Sequence, residues 1–271
     1  MGTAAQQGLY ARPALYDILY TPGTAAEVDA LQRIEAFCSG KTGDRLRSER
    51  LWFEPACGTG RYLRTAANRG LRTAGFDLDP GQIDYARRSR ALRSTRLFCA
   101  DMADFLDAAY ATDLVQGTVD FAFNPVNSIR HLASDQLVWA HLRQIARILR
   151  PGAVYVVGLS LTDYRSLEAE EDLWEGRRGR CRVSQLVNYL PPEPGTERAR
   201  QERVISHLTV HRPRGVEHFD DVYDLRCYDD RQWRTIVSKA DLESAGSFDA
   251  TGEPLGDRRL PYQLEALRSA G

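Results

Sequence analysis

The sequence predicts a doubly wound α/β protein: a mostly parallel, seven-stranded sheet with an antiparallel β insertion after the fifth strand. Three observations carry this. Short apolar runs alternate with amphipathic stretches between residues 50 and 160. The run at 154–159 is continuously apolar, as a strand buried on both faces must be. Beyond it, turn-bounded β-rich segments replace the alternation, and helix and strand resume only near the C-terminus.

Taken in order, Leu51-Trp52-Phe53 reads as a buried strand that ends in the small-residue turn Ala56-Cys57-Gly58-Thr59-Gly60. Arg61 to Arg69 places Tyr62, Leu63, Ala66 and Ala67 at helical spacing. Thr73 to Asp77 is the second strand, and Asp79-Pro80 opens the second helix with proline in its first turn. Arg96 to Ala100 and Val119 to Phe123 are the third and fourth strands. The periodic residues Val138, Leu142, Ile145 and Leu149 make a helix that Pro151-Gly152 stops, and Val154 to Leu159 is the fifth strand. Cys181–Leu190, Glu202–His211 and Val216–Tyr228 then form an antiparallel meander joined by Pro- and Gly-rich loops. Asp229 to Ala240 returns to helix, and strands near 247–249 and 262–267 complete the seven. The chain reads as one domain over 1–271: an N-terminal helical lid (1–48), a ligand-binding core (49–160), the β insertion (176–228) and the end of the core sheet (229–271).

Composition narrows the function classes. Lys+Arg total 36 against Asp+Glu 37, so no basic excess points to nucleic-acid phosphates. The five cysteines are dispersed with no pair two residues apart, which fits reduced thiols and offers no zinc-ribbon or redox pair. No apolar run reaches membrane-span length, and the N-terminus has no signal-peptide core. A cytoplasmic protein without nucleic-acid or membrane partners is expected, and no metal site is. His207, His211 and His218 read as solvated strand histidines.

The loop after the first strand carries the chemistry. In open α/β sheets ligands bind outside the carboxyl ends of the strands, near such turns. Gly58 and Gly60 let the backbone approach a ligand closely. Glu54 ends the first strand and Asp77 the second, where a carboxylate can accept hydrogen bonds from the two hydroxyls of a ribose. A dinucleotide fingerprint would need a third glycine where Leu63 stands. Asp77 or Asp101 alone would be an ordinary solvated loop acid. Their ordered recurrence at successive strand ends is harder to obtain by chance.

The runs LWFEPACGTGRYL, GFDLD and CADMADF resemble the class I S-adenosylmethionine-dependent methyltransferases over roughly residues 50–160. The resemblance implies a Rossmann-like sheet and S-adenosyl-L-methionine as cofactor, with S-adenosyl-L-homocysteine as product. It implies that Glu54, Cys57, Gly58 and Gly60 wrap the methionine part. Asp77 would hold the ribose, with Leu78 beside the adenosine. Asp101 would read the adenine amino group and Met102 pack on its ring. Asn124 would lie under the methionine end. Ala56 departs from the glycine many members carry there.

The segment Tyr16-Asp17-Ile18-Leu19-Tyr20 is similar to the Tyr-Asp-x-x-Tyr lid of glycine and amino-sugar N-methyltransferases. Tyrosines four apart share one helix face. A hydroxyl can meet the cofactor carboxylate while a ring faces the sulfonium. Tyr20 is assigned to the cofactor and Tyr16 to catalysis on this basis. Asn127 to Leu132 is similar to a stretch of the sugar N,N-dimethyltransferases and makes His131 the candidate acceptor-site residue. The implied reaction is in-line methyl transfer to an amine nitrogen of a small metabolite, the insertion covering its pocket. The same strands also suit a homodimer interface. Three alternatives stay open: O-methylation of a small hydroxylated metabolite, a nucleic-acid base methyltransferase, and a non-catalytic cofactor-binding protein. Asn124-Pro125-Val126-Asn127 lacks the aromatic that would stack a flipped base.

Overall fold

The computed structural model describes residues 8–39 and 46–269. Two N-terminal helices, α1 (Pro13–Tyr20) and α2 (Thr24–Ser39), precede an alternating core. In chain order the core runs β1 (Leu51–Pro55), α3 (Arg61–Asn68), β2 (Arg72–Asp77), α4 (Pro80–Arg87), β3 (Arg96–Cys99), α5 (Leu106–Tyr110), β4 (Val119–Asn124), α6 (Asp135–Ile148) and β5 (Leu149–Ser160). Four long strands follow: β6 (Glu170–Arg178), β7 (Cys181–Leu190), β8 (Gln201–Arg212) and β9 (Gly215–Arg226). Helix α7 (Asp230–Lys239) and strands β10 (Leu242–Phe248) and β11 (Tyr262–Ser269) return to the first sheet.

That sheet has seven strands in the order β10-β11-β5-β4-β1-β2-β3. β1 pairs in parallel with both β2 and β4, so the chain reverses direction across the sheet at the β1/β4 boundary, where a crevice opens. β11 is antiparallel to β5 and β10. Side-chain alternation explains why the sheet is covered twice. Phe53, Ala122, Tyr155 and Val157 point into one core with α6 and α7. Trp52, Phe121, Phe123, Val154 and Val156 point into the other with α2, α3 and α4.

The second sheet, β6-β7-β8-β9, is antiparallel throughout. It opens already at Glu170, earlier than the expected 176, because β6 is an added edge strand. Its inner face packs on α1: Val183, Leu208 and Val210 meet Leu15, Ile18 and Leu19. Gly176 lets β6 lie against the α1 backbone, since a Cβ there would approach the Leu19 Cα to 2.9 Å. His207 and His218 stack on each other at 5.3 Å on the outward face. Among the described residues, no helix is long and apolar enough to cross a membrane.

Candidate functional site

The turn after β1 is built from left-handed residues. Ala56, Gly58 and Gly60 have φ of 50°, 52° and 70°. An alanine in that region carries about 1–2 kcal/mol of backbone strain, so the departure at Ala56 has a local penalty that glycine would avoid. The turn is pinned from below: the Cys57 N–H donates to the Phe76 carbonyl at 2.8 Å, and the Cys57 side chain is buried in the core. Gly60 caps α3, and a Cβ there would press Leu92 at 2.9 Å, so this glycine serves packing. Gly58 is different. A Cβ at Gly58 would point between the Tyr16 ring and the Gln82 amide oxygen, at 3.7 and 3.8 Å.

Asp77 closes β2 and accepts from two backbone donors, Gly58 N at 2.8 Å and Asp79 N at 2.9 Å. Burial raises its pKa, and those N–H groups oppose the rise. Leu78 is exposed, and the Asp79 side chain caps α4 through Gly81. On the neighbouring strand end, Asp101 is exposed and accepts from Ala103 N at 2.8 Å, while Met102 is half-buried. A feature the sequence did not reveal holds this loop. His141 of α6 sets Nδ1 2.9 Å from the Met102 carbonyl, and Gln144 binds the Phe105 and Leu106 N–H groups. Asn124, at the end of β4, is buried and donates to the Pro55 carbonyl at 2.7 Å.

Helix α1 crosses above. Tyr16 stands over Gly58 and beside Glu54, Asp77 and Arg61, while Tyr20 lies 4.9 Å from it, ring to ring. The Tyr20 hydroxyl donates to Gln185 Oε1 of β7 at 2.8 Å, turning this phenol toward the insertion. Asp17 anchors the helix. It pairs with Arg64 of α3 and, at 2.6 Å, with Arg178 of β6, and receives the Tyr85 hydroxyl at 3.2 Å.

Beyond Tyr20 lies a cavity of about 720 Å³ between α1, the turn after β4 and the inner face of the second sheet. His131 faces it from that turn, stacked on Tyr223 at 5.4 Å, with Nε2 3.4 Å from the Tyr10 hydroxyl. His131 stays accessible, but to the cavity. Desolvation, then the adjacent Arg130 guanidinium, push its pKa down to about 4. Arg61, which the sequence left as an ordinary helix arginine, is buried in the wall. It donates to Thr24 Oγ1 at 2.8 Å and to the Tyr62 hydroxyl at 2.6 Å, and pairs with Glu27.

Residues 53–152, which span the Gly58 turn, Asp77, Asp101 and Asn124, match the model of the family described as methyltransferase domain. The protein is an S-adenosylmethionine-dependent methyltransferase. It is 26% identical over 194 residues to the malonyl-[acyl-carrier protein] O-methyltransferase of Serratia marcescens, covering 72% of this chain and 68% of the relative. Its fold is similar to the sugar N-methyltransferase KedS8 of Streptoalloteichus sp., with a TM-score of 0.70 at 22% identity, over 99% of this chain and 96% of the other. It is similar also to CalS10, an amino pentose methyltransferase of Micromonospora echinaspora solved with the cofactor bound. There the TM-score is 0.66 at 19% identity, over 99% and 100% of the two chains.

The residues of this methyltransferase fit the cofactor's chemistry. Among the described residues, three buried oxygens near the turn have no partner: Glu54 Oε2, Asn124 Oδ1 and Gln82 Oε1. Buried acceptors left unpaired are unfavourable unless a ligand donor reaches them. Burial holds the Glu54 pKa well above the ordinary carboxyl value, so a nearby positive charge would relieve this group. S-adenosylmethionine carries both an ammonium and a sulfonium.

Asp17 offers a test of how α1 is held. Burial alone would raise its pKa, but the Arg64 and Arg178 guanidiniums reverse this and hold it below the ordinary carboxyl value. Its stabilising contribution is therefore complete above the unfolded-state pKa and is lost as pH falls through the folded one. Asp17→Asn should lower stability at neutral pH by about 3 kcal/mol, since it leaves two guanidiniums without their partner. The variant and the parent should converge on acidification. Thermal midpoints that fall in parallel with pH would sink this account.

Proposed function

We propose that this enzyme methylates an amine nitrogen of a small metabolite held in the cavity beneath α1 and the second sheet. The observation that carries the reading is His131. It lines the cavity between the Tyr10 and Tyr223 rings, and burial with the adjacent Arg130 lowers its pKa to about 4, which makes it a poor base for a hydroxyl. An amine brings its own lone pair once its proton has gone to water. His131 then orients the acceptor by hydrogen bonding, while Tyr10 and Tyr223 hold the ring in place.

The cofactor roles follow the strand ends. Asp77 takes the ribose hydroxyls, and Asp101 and Met102 take the adenine, with Leu78 at its open edge. Gly58 clears space for the methionine part, and Glu54 and Asn124 supply acceptors for its ammonium. Cys57 and Gly60 serve through the backbone of the turn. Tyr16, over Gly58, belongs to the boundary between cofactor and acceptor, and Tyr20 to the acceptor side. When bound, the cofactor supplies an activated methyl whose bond to sulfur breaks as the bond to nitrogen forms. The protein's own contribution is placement, which can be worth about 7–11 kcal/mol of a two-reactant barrier.

The O-methyltransferase relative from Serratia marcescens makes oxygen the competing acceptor. Labelled S-adenosylmethionine should be offered with matched pairs of small amines and alcohols, and with DNA and tRNA. Label should enter amines and yield S-adenosylhomocysteine. Transfer to the alcohols alone, to nucleic acid, or to nothing across the panel would overturn the reading.

A further inference from the structure

The cavity wall is acidic in a way the reaction itself does not require. It includes six carboxylates, Glu27, Asp163, Glu168, Glu170, Asp172 and Glu202, against the two guanidiniums of Arg61 and Arg130. Both cations are engaged. Arg61 pairs with Glu27, and Arg130 pairs with Glu202 at 3.0 Å and donates to the Arg226 carbonyl at 2.9 Å. Asp163 is held by its neighbour Arg165. Among the described residues, no ion pair to Glu168, Glu170 or Asp172 is formed.

Two of these three lie on β6 with a purpose visible in the strand's period. Glu170, Asp172 and Trp174 are alternate residues, so all three face the cavity, and they sit opposite Tyr189, Val187 and Gln185 of β7. The Trp174 ring lies 5.8 Å from that of Tyr20, which Gln185 holds in place, and Trp174 remains 44% exposed. The Tyr189 phenol feels Asp172, Glu202 and Glu170, which raise its pKa after the larger effect of burial, to about 12. Aromatic faces next to uncompensated carboxylates attract an ammonium and repel a phosphate.

We propose that the acceptor enters as a phosphate-free ammonium cation, its charge held between the Trp174 and Tyr20 rings and the Glu170 and Asp172 carboxylates. This rests on the cavity being the acceptor site, and extends that reading from the atom methylated to the charge of the molecule that carries it. A nucleotide-linked or phosphorylated acceptor does not suit this wall.

Three probes of one shape test the charge alone: choline, its uncharged carbon isostere dimethylbutanol, and phosphocholine. Each is titrated calorimetrically into the full chain saturated with S-adenosylhomocysteine. No methyl is transferred, so failure here is distinguishable from failure of the amine-methylation reading. Choline should bind at least about tenfold more tightly than the alcohol, and phosphocholine no more tightly than choline. Glu170→Gln with Asp172→Asn should erase the preference while S-adenosylhomocysteine affinity stays unchanged. The proposal is overturned if the alcohol matches choline, if phosphocholine binds best, if the double variant keeps the preference, or if choline shows no binding at tens of millimolar.

Discussion

Asp77→Asn should weaken S-adenosylmethionine binding by about 10²- to 10³-fold, because two hydrogen bonds to a charged acceptor, each worth about 1.5–3 kcal/mol, are lost or weakened. The geometry explains why the amide cannot stand in. Both carboxylate oxygens of Asp77 already accept backbone N–H groups, from Gly58 and Asp79, and each keeps a lone pair for a ribose hydroxyl. An asparagine has one oxygen, so its NH₂ must face one of those N–H donors. The loss therefore has two parts: the missing charge toward the ribose, and a loosened Gly58 turn. Asp101→Asn separates this from a general effect of removing acid near the cleft. Asp101 is exposed and bonded within its own loop, so its loss should matter about tenfold or less. Calorimetry with the cofactor reads both variants. An Asp77→Asn affinity within threefold of the parent, roughly the scatter expected for a surface change, would show that the ribose lies elsewhere.

How much of this was legible in the sequence depends on what each residue must satisfy. β1 to β5 were readable because both faces of the central strands are buried, which leaves Trp52-Phe53 and Val154 to Leu159 no freedom to be polar. The turn after β1 was readable as a turn because its left-handed backbone at 56, 58 and 60 favours small residues at fixed spacing. β6 was not. Glu170 to Arg178 carries charge on both faces, one toward solvent and one toward the acidic cavity, so no period-two pattern survives. Arg61 was hidden for a related reason. An arginine in a first helical turn normally points to water, and Thr24 and Glu27, brought in from α2, explain its burial. The lid tyrosines were half legible. Their spacing places both on one stripe, but four residues advance about 6 Å along the helix. That rise puts one ring over Gly58 and the other on Gln185, and the sequence alone does not say which is which.

A second variant should act on the fold and on the proposed acceptor cavity together. Gly158 lies in β5 beneath the turn that follows β4. A Cβ there would drive into the Pro125 carbonyl and stand 2.6 Å from the Tyr262 hydroxyl, which itself donates to that carbonyl. The neighbour that must give is backbone, and it is fastened. Asn127, in the left-handed region at φ 54°, accepts from Ser160 N at 2.7 Å and donates to Ser160 Oγ at 2.9 Å. Its own N–H donates to the Gly158 carbonyl at 3.2 Å. Gly158→Ala should therefore cost about 3 kcal/mol, the upper part of the range for overpacking, because no flexible side chain can absorb the methyl. At about 2–4 °C per kcal/mol for a chain of this size, the thermal midpoint should fall by roughly 6–12 °C. Gly195→Ala is the control. Gly195 has φ of 83° with nothing near its missing Cβ, so it carries backbone strain without a clash and should cost only about 1–2 kcal/mol. The turn that Gly158 supports leads into His131, so the variant should also lose methyl transfer under conditions where it remains folded and binds cofactor. A midpoint within about 2 °C of the parent, less than a single kcal/mol, would mean that the Pro125–Asn127 turn yields freely, and His131 would then not be held where the acceptor needs it.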